Sequence, residues 1–337
     1  MRELFVCLFL VVCVACQPSQ NDTQRRVYSG MNIDPMNTQY GAPSVQQLQS
    51  AGVQWLRIEF KDASMNSTVS SFNSYDGYIS SYFNGGMKIL MILDYSTLGG
   101  DPGTYGSEQE WEAYTTNFAA RAQQVAQHYA ALIGEHNIVY EIWNEEDLAT
   151  PSPSYDPTIP APSYAYLLQQ TYTAIKQVCT SEVIVGGLAS GVPSYLQDVI
   201  NAFSPPGKFY FDGVGIHPYG RRPFNDWPNS SWGFGTITDL VKQYSDVVSG
   251  TLPIWVTEMG TNDKSVQGMF PFYAFESVNN QEPLLSPYFF WFCWSDGMVD
   301  GFGVLDVNGN PNQSYYSYQA WSELPFNASC CTDYTYW

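Results

Sequence analysis

Short apolar runs recur along the chain, at Val27–Asp34, Val53–Phe60, Met87–Asp94, Ile138–Glu145, Val183–Leu188, Phe211–His217, Leu252–Glu258 and Tyr288–Trp294. Between them the apolar positions change period. Trp111, Tyr114, Phe118, Ala122, Val125, Tyr129 and Leu132 step by three and four, as do Tyr164, Leu168, Thr171, Ile175 and Val178. That is the stripe of an amphipathic helix. Ser107 and Glu110 have the spacing of a capping box at the start of the first stripe. Gly52, Gly134 and Gly250 fall where helices should stop. Strand-like runs alternating with helical stretches eight times over predict an α/β fold, a single (β/α)₈ TIM barrel. A doubly wound open sheet is the alternative. It usually has fewer strands and often a Gly-rich phosphate turn after the first, and Met31-Asn32-Ile33-Asp34 is no such turn. No P-loop, Gly-x-Ser-x-Gly elbow or GxGxxG motif is present. At 337 residues the chain exceeds the ~250 typical of such a barrel, and it shows no internal repeat, linker or second domain.

Two of the runs break off at carboxylates, Ile138-Val139-Tyr140-Glu141-Ile142-Trp143-Asn144-Glu145 and Leu252-Pro253-Ile254-Trp255-Val256-Thr257-Glu258. In an eight-stranded barrel the fourth and seventh strands face each other across the mouth. Pro-rich loops follow the fourth run (Pro151, Pro153, Pro157, Pro160, Pro162) and the sixth (Pro218, Pro223, Pro228). Long loops at strand C-termini are where a barrel builds its cleft. One carboxylate at a strand end is ordinarily a solvated loop group. Two at matching positions on opposite walls can flank a sugar ring. Glycosidic cleavage needs such a pair, one to hold a proton and one to carry a negative charge.

Charge narrows the choice of partner. Charged residues make up 13% and the net charge is −19, which argues against nucleic acid and other polyanions and suits a neutral substrate. Aromatics reach 16%; most fill the core, but flat rings also suit the C–H faces of sugars. Residues 1–16 have a short basic start and an apolar run, Leu4 to Ala15, too short to span a bilayer. They are read as a signal peptide ahead of a catalytic domain over residues 17–337. Val14-Ala15-Cys16 loosely resembles a lipoprotein site, so lipid anchoring through Cys16 is the alternative to plain secretion. Asn-x-Ser/Thr sequons at Asn21, Asn66, Asn229, Asn312 and Asn327 would carry glycans in a eukaryotic secretory chain. Cys179, Cys293, Cys330 and Cys331 permit two disulfides in three pairings, which would staple the C-terminal tail to the barrel. His128, His136 and His217 are scattered, so neither a metal nor a cofactor is expected.

Trp143-Asn144-Glu145 resembles the acid/base motif of the clan A glycoside hydrolases, which are retaining (β/α)₈ enzymes. Thr257-Glu258 resembles their nucleophile strand, and Phe211-Asp212-Gly213-Val214-Gly215-Ile216-His217-Pro218-Tyr219 their sixth strand with its His-x-Tyr pair. The string from Tyr140 to Glu145 is most similar to family 39 and the cellulase-like enzymes of family 5. Glu146 departs from the pattern, since Pro often follows the acid/base. The resemblance implies a retaining β-glycosidase acting on an oligo- or polysaccharide, with Glu258 as nucleophile and Glu145 as acid/base. Arg57 would hydrogen-bond Glu258 and lower its pKa, or else pair with Glu59 or Glu141. Asn144 would hold the sugar 2-hydroxyl. His217 and Tyr219 are two apart and share one side of their strand; they would address Glu145 and Glu258. Trp294 would floor the sugar site, and Trp143 would pack. Asp94, Tyr95 and Asp34 stand where they could bond sugar hydroxyls. The loops suggest an extended cleft for a β-glucan or related polysaccharide. The competing reading is a non-catalytic carbohydrate-binding or surface protein on the same barrel, against which the presence of both glutamates stands.

Overall fold

Each apolar run forms a strand, with ends that differ from the sequence reading by up to three residues. In the computed structural model, which describes residues 24–62, 71–98, 107–148, 158–228 and 233–326, the strands are β1 (Tyr28–Asn32), β2 (Trp55–Glu59), β3 (Lys88–Leu93), β4 (Ile138–Asn144), β5 (Val183–Leu188), β6 (Gly213–Ile216), β7 (Ile254–Met259) and β8 (Tyr288–Trp291). They close into one parallel barrel in chain order, the seam pairing Tyr28 with Tyr288. The helices are α1 (Val45–Ala51), α2 (Ser71–Asn84), α3 (Tyr95–Leu98), α4 (Glu108–Ile133), α5 (Ala161–Lys176), α6 (Ser194–Ala202), α7 (Ile237–Val247), α8 (Phe270–Asn279) and α9 (Gln313–Ser322). Parallel strands covered on both faces read as continuous apolar runs, as these do.

The first helical stripe lies in α4, where Trp111, Phe118, Ala122, Val125 and Tyr129 are buried. Leu132 is exposed, and Ile133 takes the inward position instead. Ser107 accepts from the Glu110 amide at 3.3 Å, one arm of the expected box. The second stripe lies in α5, which ends at Lys176, before Val178. Gly52 closes α1 in the left-handed region, with φ of 75°.

The inside of the barrel is layered. Trp55, Leu90, Val139, Ile184, Trp255 and Phe290 form a separate buried cluster. Trp55 meets Trp255 edge-on at 5.5 Å, and Tyr288 stacks on Trp255 at 3.5 Å. Burying each large side chain stabilises by roughly 1.5–3 kcal/mol, so this aromatic plug is a substantial part of the core. Two residues further along their strands, Asn32, Arg57 and Glu141 replace apolar groups with polar ones. Strand glycines make room for Glu141 and for His217. A Cβ on Gly215 would lie 2.8 Å from Glu141 Oε1, and one on Gly187 would lie 1.9 Å from His217 Nε2.

One sequence expectation is corrected. Cys179 and Cys293 are buried free thiols, so neither takes part in the expected staple; Cys330, Cys331 and the residue 1–16 segment lie outside the described residues. Asn312, the sequon residue within the described part, is tied to its neighbours. Its Nδ2 donates to Asp296 Oδ2 at 3.1 Å and to the Gly303 carbonyl at 3.0 Å, and Ser314 is buried. The other four sequons lie outside the described residues. No described helix is long and apolar enough to cross a membrane.

Candidate active site

The end of β4 leaves regular strand geometry. Trp143 and Glu145 both have positive φ, 78° and 57°. That region costs a side-chain-bearing residue about 1–3 kcal/mol. Simple alternation would place residues 139, 141, 143 and 145 on one side. The turn at Trp143 breaks that phase. Its ring points outward to Tyr114 and Phe118, at 6.5 and 5.9 Å between centroids. Asn144 takes the inward place and accepts from Arg57 Nη2 at 2.7 Å. On the opposite wall, the pairing of β7 with β8 slips between Val256 and Met259, and Glu258 reaches the mouth.

Arg57 organises the floor of the site. Its Nε donates to Glu141 Oε2 at 2.5 Å. Its Nη1 donates to Asn32 Oδ1 at 3.0 Å and also to Glu258 Oε1. It therefore holds Glu141 and Glu258 at once, while Glu59 pairs with Lys61 at 3.3 Å. Tyr219 Oη donates to Glu258 Oε2 at 2.9 Å. His217 Nδ1 lies 2.9 Å from Glu145 Oε1, and its Nε2 lies 3.8 Å from Glu258 Oε1. Burial pushes the Glu258 carboxyl up, but the charges of His217 and Arg57 and the bonds from Tyr219 and Arg57 outweigh it. Glu258 therefore lies below the ordinary carboxylate range. Burial, and then the Glu258 charge, hold the Tyr219 hydroxyl well above its usual range, so it remains a donor.

Glu145, His217 and Glu258 each bring one atom into a group whose members all lie within 4.8 Å of one another. Three protein ligands would suit a catalytic zinc, but the guanidinium already seated on Glu258 repels a cation there.

A cleft of about 270 Å³ opens beside Glu258, lined by Asp34, Glu59, Lys61, Asp94, Asn144 and Phe292 among others. Tyr95 also borders it and is 49% exposed. Trp294 does not line this cleft. It is buried and borders a separate outer depression with Gln46 and Tyr315. The reason is that β8 ends at Trp291, so strand alternation does not carry on to residue 294. Phe292 occupies the cleft in its stead. Sequence reasoning also passed over Lys61, although the period from Arg57 through Glu59 to Lys61 could have found it.

Glu146, the departure from the family pattern, sits behind the site. It is fully buried, and neither carboxyl oxygen has a hydrogen-bond partner among the described residues. The nearby Tyr164 hydroxyl is committed to the Ile142 carbonyl at 2.6 Å and the Gly186 amide at 2.9 Å. Burial, then the charge of Asp147, pushes Glu146 well above the carboxylate range. A carboxyl raised on folding gives its full stability below its unfolded pKa, and loses it as pH rises through the folded one. Each such group removes up to about 1.4 kcal/mol per pH unit in that window. Glu146→Gln should therefore flatten the fall in stability as pH rises above the ordinary carboxylate range, read as urea midpoints at a series of pH values. An unchanged pH slope would show that Glu146 is not held protonated.

No protein-family model matches the sequence, and no curated protein sequence does. Solved structures share the fold. A monomeric beta-xylosidase from Caulobacter crescentus superimposes with a TM-score of 0.63 at 15% identity, over 89% of this chain and 68% of that one. A GH5-4 broad specificity endoglucanase from Clostridium acetobutylicum gives 0.63 at 14%, over 88% and 97%. A GH128 endo-beta-1,3-glucanase from Amycolatopsis mediterranei gives 0.55 at 13%, over 87% and 99%.

Proposed function

We propose that the protein is a retaining β-glycoside hydrolase. The observation that carries this is the placing of Glu145 and Glu258 on facing strand ends, with carboxylate oxygens within 4.8 Å and with different partners. Retaining enzymes hold their two carboxyl groups about 5–5.5 Å apart, and inverting enzymes leave room for a water between them. Glu258, ionised and held by Arg57 and Tyr219, attacks the anomeric carbon. Glu145 protonates the departing oxygen, then takes a proton from the water that releases the sugar. His217 orients Glu145. Asn144 gives its oxygen to Arg57, which leaves its amide hydrogens for the sugar 2-hydroxyl. Phe292 offers the flat face assigned to Trp294 from sequence.

The neighbours include enzymes named for xylosides and for glucans, and a β-glucan or related polysaccharide is the substrate proposed here. Secretion is part of the same reading. The test is a panel of soluble β-glucans and xylans, with products followed by proton NMR from the first turnover. The β-anomer should appear first and mutarotate later. First release of the α-anomer would point to inversion, and no product from any polysaccharide or aryl β-glycoside would favour the non-catalytic reading.

A further inference from the structure

The cleft wall built from β1, β2 and β3 is more acidic than bond cleavage requires. Asp34 follows β1, Glu59 ends β2 and Asp94 follows β3, and all three line the cleft with a single ammonium, Lys61. Lys61 Nζ lies 2.8 Å from Asp34 Oδ2 and 3.3 Å from Glu59 Oε2, so two carboxylates already share it. Arg57 is engaged by Glu141 and Glu258. No cation pairs with Asp94 among the described residues. Asp94 is only 3% exposed, and its Oδ1 accepts from the Ser96 amide at 2.7 Å. That bond caps α3, and Asp94 lines the cleft.

Resting on the glycosidase reading, we propose that Asp94 and Glu59 make this end of the cleft a charge filter. It accepts sugar units that are neutral and can donate hydroxyl hydrogens, and rejects uronic acids and sulfated sugars. A sugar hydroxyl donating to a carboxylate makes a charge-assisted bond. A second carboxylate brought in on the sugar meets like charge instead. At about 8 Å and an effective dielectric of about 20, that repulsion amounts to roughly thirtyfold in affinity. Burial, and then the charge of Glu59, lift the Asp94 carboxyl to about 7, against the Ser96 amide and the more distant Arg57. The other charged groups on this wall are Asp34 and Lys61, which pair with each other, Lys61 also reaching Glu59.

The test compares kcat/KM for 4-nitrophenyl β-glucoside and β-glucuronide, which differ only at C6, with the β-xyloside as a second neutral substrate. The wild type should prefer the neutral sugars by roughly thirtyfold or more. Asp94→Asn and Glu59→Gln should each shrink that preference by up to roughly thirtyfold, with the change in KM rather than kcat. The wild-type preference should widen as pH rises through about 7, where Asp94 ionises. Titration of the catalytic glutamates cancels in the ratio. Equal turnover of glucuronide and glucoside by the wild type would overturn the filter, as would a preference that neither variant alters. Failure of all three substrates and of every polysaccharide would instead remove the glycosidase reading beneath it.

Discussion

Glu258→Gln should abolish turnover on every glycoside, activated or not. The amide is nearly isosteric and keeps its place between Arg57 and Tyr219, but it cannot form a glycosyl ester. Loss of a nucleophile typically lowers kcat by roughly 10⁴-fold or more, and no burst of aryl leaving group should remain. The variant should also report on the fold. The wild-type carboxyl is depressed, so it contributes stability above the ordinary carboxylate range and loses it as pH falls through its folded value. Glu258→Gln should be less stable than wild type at pH 7, and the gap should close on acidification. A mass-trapped glycosyl group on any other side chain would remove Glu258 from the role.

Glu145→Gln should split substrates by leaving group. A poor leaving group must be protonated to depart, and general acid catalysis contributes about 10²–10⁴-fold, so polysaccharide turnover should fall by that order. An activated aryl glycoside needs no proton in its first step. With it the variant should form glycosyl-enzyme quickly, release it slowly and show a burst. Azide, which needs no general base, should restore turnover and yield a β-glycosyl azide. Equal loss on both classes, with nothing restored by azide, would take the acid/base role away from Glu145. His217 Nδ1 is the nearest polar neighbour seen for Glu145, at 2.9 Å. A His217→Ala variant should therefore fall on the same side of the split, as a positioning residue would.

Much of this was legible in the sequence because its signals are local. A run of β-branched and aliphatic residues that stops at Glu258 marks both a strand and its open end. His217 and Tyr219 share a face because strands repeat every two residues. What the sequence could not show lay where that repeat fails. The left-handed backbone at Trp143 throws Asn144 inward, and nothing in the letters Ile-Trp-Asn announces it. After Trp291 the repeat carries Phe292, two residues beyond the inward Phe290, into the cleft and then fails, leaving Trp294 outside. Arg57 was legible as a partner for Glu258 or for Glu141, and the structure has it hold both; the choice looked exclusive only because chain distance says nothing about a closed ring of strands. Leu132 failed more simply, since a helix drifts along its own stripe and Ile133 came round to the inside.

The aromatic plug of Trp55, Trp255 and Phe290 has a consequence for timing. It closes the barrel beneath Arg57, so the site opens at the strand C-termini. On the proposed mechanism, a water would approach the glycosylated Glu258 only after the departing half of the substrate had vacated the place beside Glu145. In an enzyme working as proposed, traffic through this opening puts departure before hydrolysis, and a second sugar waiting there would compete with water for the same intermediate. Sugar transfer at high acceptor concentration would then come from the shape of the barrel itself.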